Sequence, residues 1–178
     1  MVNVIFFGFG SSYLLFEKMI SKSNWINKKF CISQTSTFSN EILKIFPKKN
    51  CLFLDNLSRK EYGQNVNPKF IDADKKRFSS KKGTFKETYY ETSYIEIDKY
   101  LKLKKPDLIF YSQAIECPEG LILFDLAKKN KIKVAIPNYL RFFGGSFFSD
   151  SYMEEIKFPI KGSLINAKYD KNNLPYFN

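Results

Sequence analysis

Val2-Asn3-Val4-Ile5-Phe6-Phe7-Gly8-Phe9-Gly10-Ser11-Ser12 runs a string of apolar and β-prone residues into Gly-Phe-Gly, and two serines follow. Behind it, Tyr13-Leu14-Leu15-Phe16-Glu17-Lys18-Met19-Ile20 spaces its apolar side chains at the helical period. The pattern is that of a buried strand, a tight glycine turn and a helix capped by Ser11 or Ser12. Such a unit opens many doubly wound α/β domains, and its turn lies at the carboxyl end of a strand, where these sheets bind ligands. Amides at the helix start would face an anion, Gly8 and Gly10 would admit it close to the backbone, and Ser11 and Ser12 would donate. No third glycine follows Gly10 and no phosphate-loop lysine is present, so both nucleotide fingerprints are incomplete. A turn that needs glycine for its own geometry is the alternative reading.

Outward from this unit the phrase repeats. Lys28 to Ser33 reads as a short strand, and Ser39 to Phe46 as a helix stopped by Pro47. Cys51-Leu52-Phe53-Leu54 reads as a third strand, completing β-α-β-α-β, half of an open parallel sheet. Residues 55–92 lose the apolar period and gather lysines, which predicts a long insertion or mobile excursion, with amides of 60–88 the first to exchange. Its lysines are read as a solvated surface or as a basic lip over an anionic ligand. A helix is expected over 94–105, ended by Pro106, and an interior strand over 107–111. A helix from Leu121 to Lys129, its first turn helped by Pro118 and Glu119, leads to a strand over 132–136. The expected fold is a three-layer α/β/α sandwich, Rossmann-like, with a mostly parallel sheet in one domain over 1–167. A further strand within 156–167 and a polar tail over 168–178 complete it.

Composition bounds the chemistry. The 178 residues carry 29 Lys and Arg against 18 Asp and Glu, a formal charge of +11, and no histidine. Ser-His-Asp and Cys-His catalysis are therefore excluded within this chain, and a general base must be a carboxylate, Lys, Tyr or Cys. Three arginines (Arg59, Arg77, Arg141) leave 29 − 3 = 26 lysines. Arginine scarcity disfavours nucleic acid, and lysine with asparagine, isoleucine and phenylalanine points to an AT-rich genome. An anionic substrate or peripheral attachment to an anionic membrane explains the charge equally well. Cys31, Cys51 and Cys117 are an odd, scattered set, which fits a reducing cytoplasm and no zinc site.

Two loops complete the candidate site. Ser112-Gln113-Ala114-Ile115-Glu116-Cys117-Pro118-Glu119-Gly120 leaves the strand over 107–111 on the same sheet edge as the glycine turn. Glu116 is its candidate base and Gln113 a ligand contact. Asn138 to Asp150 mixes two glycines, four phenylalanines, Arg141 and Asp150 directly after a strand. That mixture suits a sugar face and an anionic group, through Arg141, Gly144, Gly145 and Asp150. A hydrophobic loop packed under the sheet, or an interface with another domain, is the alternative, with Glu116 and Arg141 merely solvated.

With Lys105-Pro106-Asp107-Leu108-Ile109-Phe110 and Leu140-Arg141…Gly144-Gly145-Ser146…Ser149-Asp150, the chain resembles a known group. It is similar to the N-terminal Rossmann-like half of two-domain GT-B glycosyltransferases of capsule and surface-polysaccharide biosynthesis. The resemblance covers most of 1–150. It implies an acceptor-side domain, a nucleotide-sugar as donor substrate, no tightly bound cofactor, and a second GT-B-like domain or subunit. A stand-alone nucleotide-binding module and a non-catalytic interaction domain are the other classes.

Overall fold

The computed structural model describes residues 1–58, 85–113, 115, 117–139 and 146–150. Among them, six strands form one sheet: β1 (Val2–Gly8), β2 (Ile26–Ser33), β3 (Cys51–Phe53), β4 (Leu108–Tyr111), β5 (Lys133–Tyr139) and β6 (Ser146–Ser149). The helices are α1 (Tyr13–Ser21), α2 (Ser39–Ile45), α3 (Phe85–Lys104) and α4 (Pro118–Lys129). Spatial order is β3-β2-β1-β4-β5-β6, and every pair is parallel except β5 with β6. This is a Rossmann-like α/β sandwich.

The sequence of β1 explains the three layers. Its side chains alternate between faces, and both faces are apolar. Val4 and Phe6 join Phe16 of α1, Ile42 of α2 and Phe46 in one core. Ile5 and Phe7 join Ile97 and Leu101 of α3 with Ile122 and Leu126 of α4 in the other. Phe6 is fully buried, with the rings of Phe16, Phe46 and Phe110 at 5.3–5.8 Å. Burial of one such ring stabilises by about 1.5–3 kcal/mol. The strand order reverses beside β1, and the helices change face with it, as crossovers of a single hand require.

Several boundaries differ from expectation, each for a physical reason. Helix α3 begins at Phe85, not Tyr94, because its inner face is built from Tyr90, Ser93, Ile97, Tyr100 and Leu101, and Tyr90, Ser93 and Tyr100 read as polar in the sequence. Residues 85–92 of the predicted excursion are thus helical, while 59–84 lie outside the described residues. The stretch from 139 to 150, read as one loop, contains β6, which pairs Ser146 with Tyr139 and Ser149 with Ile136. Ser11 and Ser12 make no side-chain cap, since a 3-10 turn over Gly10–Ser12 precedes α1. The expected strand in 156–167 and the tail lie outside the described residues.

Candidate functional site

At the point where strand order reverses, the carboxyl ends of β1, β2 and β4 are tied together. Gln34 N–H donates to Gly8 O at 3.1 Å, and Ser112 N–H donates to Phe7 O at 2.9 Å. Ser12 and Ser112, far apart in sequence, share a hydroxyl–hydroxyl bond of 2.9 Å across the gap. A Cβ on Gly8 would stand 2.2 Å from Ser112 Oγ and 2.6 Å from Ser12 Oγ. One on Gly10 would stand 2.9 Å from the Phe38 ring and 3.2 Å from Thr35 Oγ1. The space beside both glycines is therefore filled by the protein's own side chains. Glycine is needed here for close packing of chain on chain.

Next to this seam lies a polar cluster. Gln34 follows β2 and is only 7% exposed. Its Nε2 donates to Cys117 Sγ and, at 3.4 Å, to Glu119 Oε2. Cys117 is the N-cap of α4, and its sulfur accepts the Gly120 amide at 3.3 Å. Tyr89, from α3, donates its hydroxyl to Glu119 Oε1 at 2.9 Å. Burial first, and then the Glu119 charge, push the Tyr89 phenol well above its ordinary range, so it remains a proton donor at neutral pH. Both carboxylate oxygens of Glu119 are thereby held. The remaining polar atom is Gln34 Oε1, which is buried and has no partner among the described residues. Such an atom carries a desolvation cost of about 1–3 kcal/mol until something donates to it.

The sequence-based residues fall into two groups. Gly8, Gly10, Ser11, Ser12 and Gln113 stand at this edge, with Gly8 and Gly10 packed rather than open. Asp150 does not join them. Strand β6 is antiparallel, so Ser149 sits beside Ile136, three residues (about 10 Å) back from the end of β5. Asp150 is exposed farther down the sheet. Glu116, Arg141, Gly144 and Gly145 lie outside the described residues. Gln34, Tyr89, Cys117 and Glu119 were not singled out as site residues. The rule applied to β1 and β4, that polar residues just past a strand's carboxyl end face the crevice, would have found Gln34 after β2. Nothing local marks Tyr89, which arrives on a helix across the other face.

No family model and no curated protein matches the sequence. Among solved structures, UDP-GlcNAc 2-epimerase from Neisseria meningitidis, bound to UDP-GlcNAc, aligns at 16% identity with a TM-score of 0.48. The alignment covers 80% of this chain and 33% of that one. UDP-GlcNAc 2-epimerase from Methanocaldococcus jannaschii aligns at 20% identity and a TM-score of 0.42, over 79% of this chain and 32% of the other. The putative enzyme from Listeria monocytogenes gives 8% and 0.44, over 75% and 30%. The chain spans about a third of the length of these proteins. No described helix is long and apolar enough to cross a membrane.

Proposed function

We propose that the domain binds a carbohydrate or nucleotide-sugar in the crevice between the ends of β1, β2 and β4. In this reading it is the acceptor-side domain of a glycosyltransferase-like protein of surface-polysaccharide biosynthesis, completed by a second domain or subunit. The observation that carries the binding site is Gln34: a buried amide whose Oε1 lacks a donor among the described residues, placed against a carboxylate, its own backbone tied to Gly8 at the edge where the Ser12 and Ser112 hydroxyls meet. A sugar ring offers hydroxyls that both donate and accept, so one ring can satisfy an amide carbonyl, a carboxylate and serine hydroxyls together. Filled space beside Gly8 and Gly10 leaves no room for a pyrophosphate against the turn, which disfavours a dinucleotide. Glu119 orients a ligand hydroxyl, with Tyr89 and Gln34 holding the carboxylate in place. Glu116 as proton acceptor and Arg141 as partner of an anionic group complete the proposed site.

Calorimetric titration and thermal shift with UDP-GlcNAc, UDP and short oligosaccharides test this. A ligand of the native state raises the melting point by mass action. Gln34→Leu and Glu119→Gln should each weaken binding at least about tenfold, the effect of 1.4 kcal/mol. Gln34→Leu removes an unsatisfied carbonyl but also takes the amide donor from Cys117 Sγ and Glu119 Oε2, so the unliganded melting point of the variant is measured beside its binding. Variants that bind like the parent, or a parent that answers to none of these ligands, would overturn the assignment.

A further inference from the structure

Parallel strands alternating with antiparallel helices put the end of each described α-helix and the start of each parallel strand, β1 to β5, on one edge, opposite the crevice. The sequence loads that edge with lysine: Lys28, Lys48, Lys49, Lys105, Lys131 and Lys133 stand there, all exposed. Asp107 is the carboxylate in the described turns leading into strands, and its Oδ2 accepts the Asn3 amide at 2.8 Å. Large apolar side chains stand among the lysines. Met1 precedes β1, Trp25 lies in the turn before β2, and Leu103 is in the last turn of α3; they are 90%, 40% and 74% exposed. Across β3 to β5 this edge spans four strand spacings, about 19 Å.

Two of the lysines occupy costly backbone. Lys105 (φ 47°) and Lys131 (φ 56°) follow helices in the left-handed region, where glycine or asparagine is less strained by about 1 kcal/mol. An AT-rich coding bias does not account for this, because asparagine codons are equally AT-rich.

We propose that this edge is a docking surface for an anionic lipid bilayer, with the lysines at the headgroups and Trp25, Leu103 and Met1 entering the interface. Lysine serves a diffuse negative surface, each near the membrane contributing about 1 kcal/mol. Exposed Leu103 and Met1 gain nothing from a nucleic acid but are stabilised at an acyl boundary.

Trp25 is the one tryptophan in the protein, so its fluorescence reports on this surface directly. Phosphatidylcholine vesicles containing about one-third phosphatidylglycerol should blue-shift its emission and sediment the full chain. Pure phosphatidylcholine should not, and high salt should reverse the binding. Lys105→Asn with Lys131→Asn removes two charges while relieving backbone strain, so lost binding cannot be ascribed to misfolding. Each charge removed should weaken vesicle binding about fivefold, the equivalent of about 1 kcal/mol. Leu103→Asn should weaken it several-fold more. The proposal is overturned if the double variant binds like the parent, if Trp25 emission does not move, or if duplex DNA shifts it as strongly as the vesicles.

Discussion

Gly8 carries no side chain because two serines occupy the place one would take. With Ser112 Oγ 2.2 Å and Ser12 Oγ 2.6 Å from an added Cβ, Gly8→Ala must displace β4's end or break the Ser12–Ser112 bond. Overpacking of this kind costs on the order of 1–3 kcal/mol. Urea unfolding should show that loss for Gly8→Ala, and most of it should return in Gly8→Ala with Ser112→Gly. A single variant as stable as the parent would mean the seam gives way freely. The need for glycine was legible in the sequence, but its reason was not. The nearer of the two oxygens that fill the space belongs to Ser112, just past β4 and about a hundred positions away, and no local pattern announces it.

Among the elements, α4 shows how the fold and the crevice share residues. Its N-cap is Cys117, a weak acceptor for a position usually held by Ser, Thr, Asp or Asn. The sulfur takes the Gly120 amide and the Gln34 amide together, so one atom starts a helix and anchors a site residue. Cys117→Ala should lower stability by about 1 kcal/mol, the usual worth of a cap, while Cys117→Ser should keep most of it. Thermal unfolding separates the two; an alanine variant melting with the parent would remove the cap from the account. Strands β1 and β4 and helix α4 were legible because apolar residues at the correct period bound them. Helix α3 and strand β6 were not. The first packs tyrosine, serine and threonine inward, and the second is two adjacent phenylalanines between two serines, too short and without the alternation that would set it apart from a glycine-rich loop.

For the molecule as a whole, the crevice and the lysine edge lie at opposite ends of the same strands. Docked through the lysines, the crevice would face the aqueous side and receive soluble ligands such as nucleotide-sugars. The two cores between these ends bury ionisable groups in their neutral forms, which sets a pH limit on the fold. Burial pushes the Cys31 thiol far above its ordinary value of 9.0 and the Tyr111 phenol well above 10.0; Tyr100, bonded to Asn50 O, is shifted the same way. Burial also raises Cys51, less enclosed, to about 11. In the unfolded chain thiols release their protons near pH 9 and phenols near pH 10, while the folded chain still holds them. The unfolded state then binds fewer protons, so stability falls as pH rises. Full stability is expected below the thiol's ordinary value. Above about pH 9 the loss should reach roughly 1.4 kcal/mol per pH unit for each fully buried group, steepening as the tyrosines join. Urea midpoints measured from about pH 7 to about pH 11 should therefore be level at first and then drop. A midpoint that stays level to the alkaline end would mean that these side chains ionise as readily in the folded protein as in water, and that the cores around Cys31 and Tyr111 are wet.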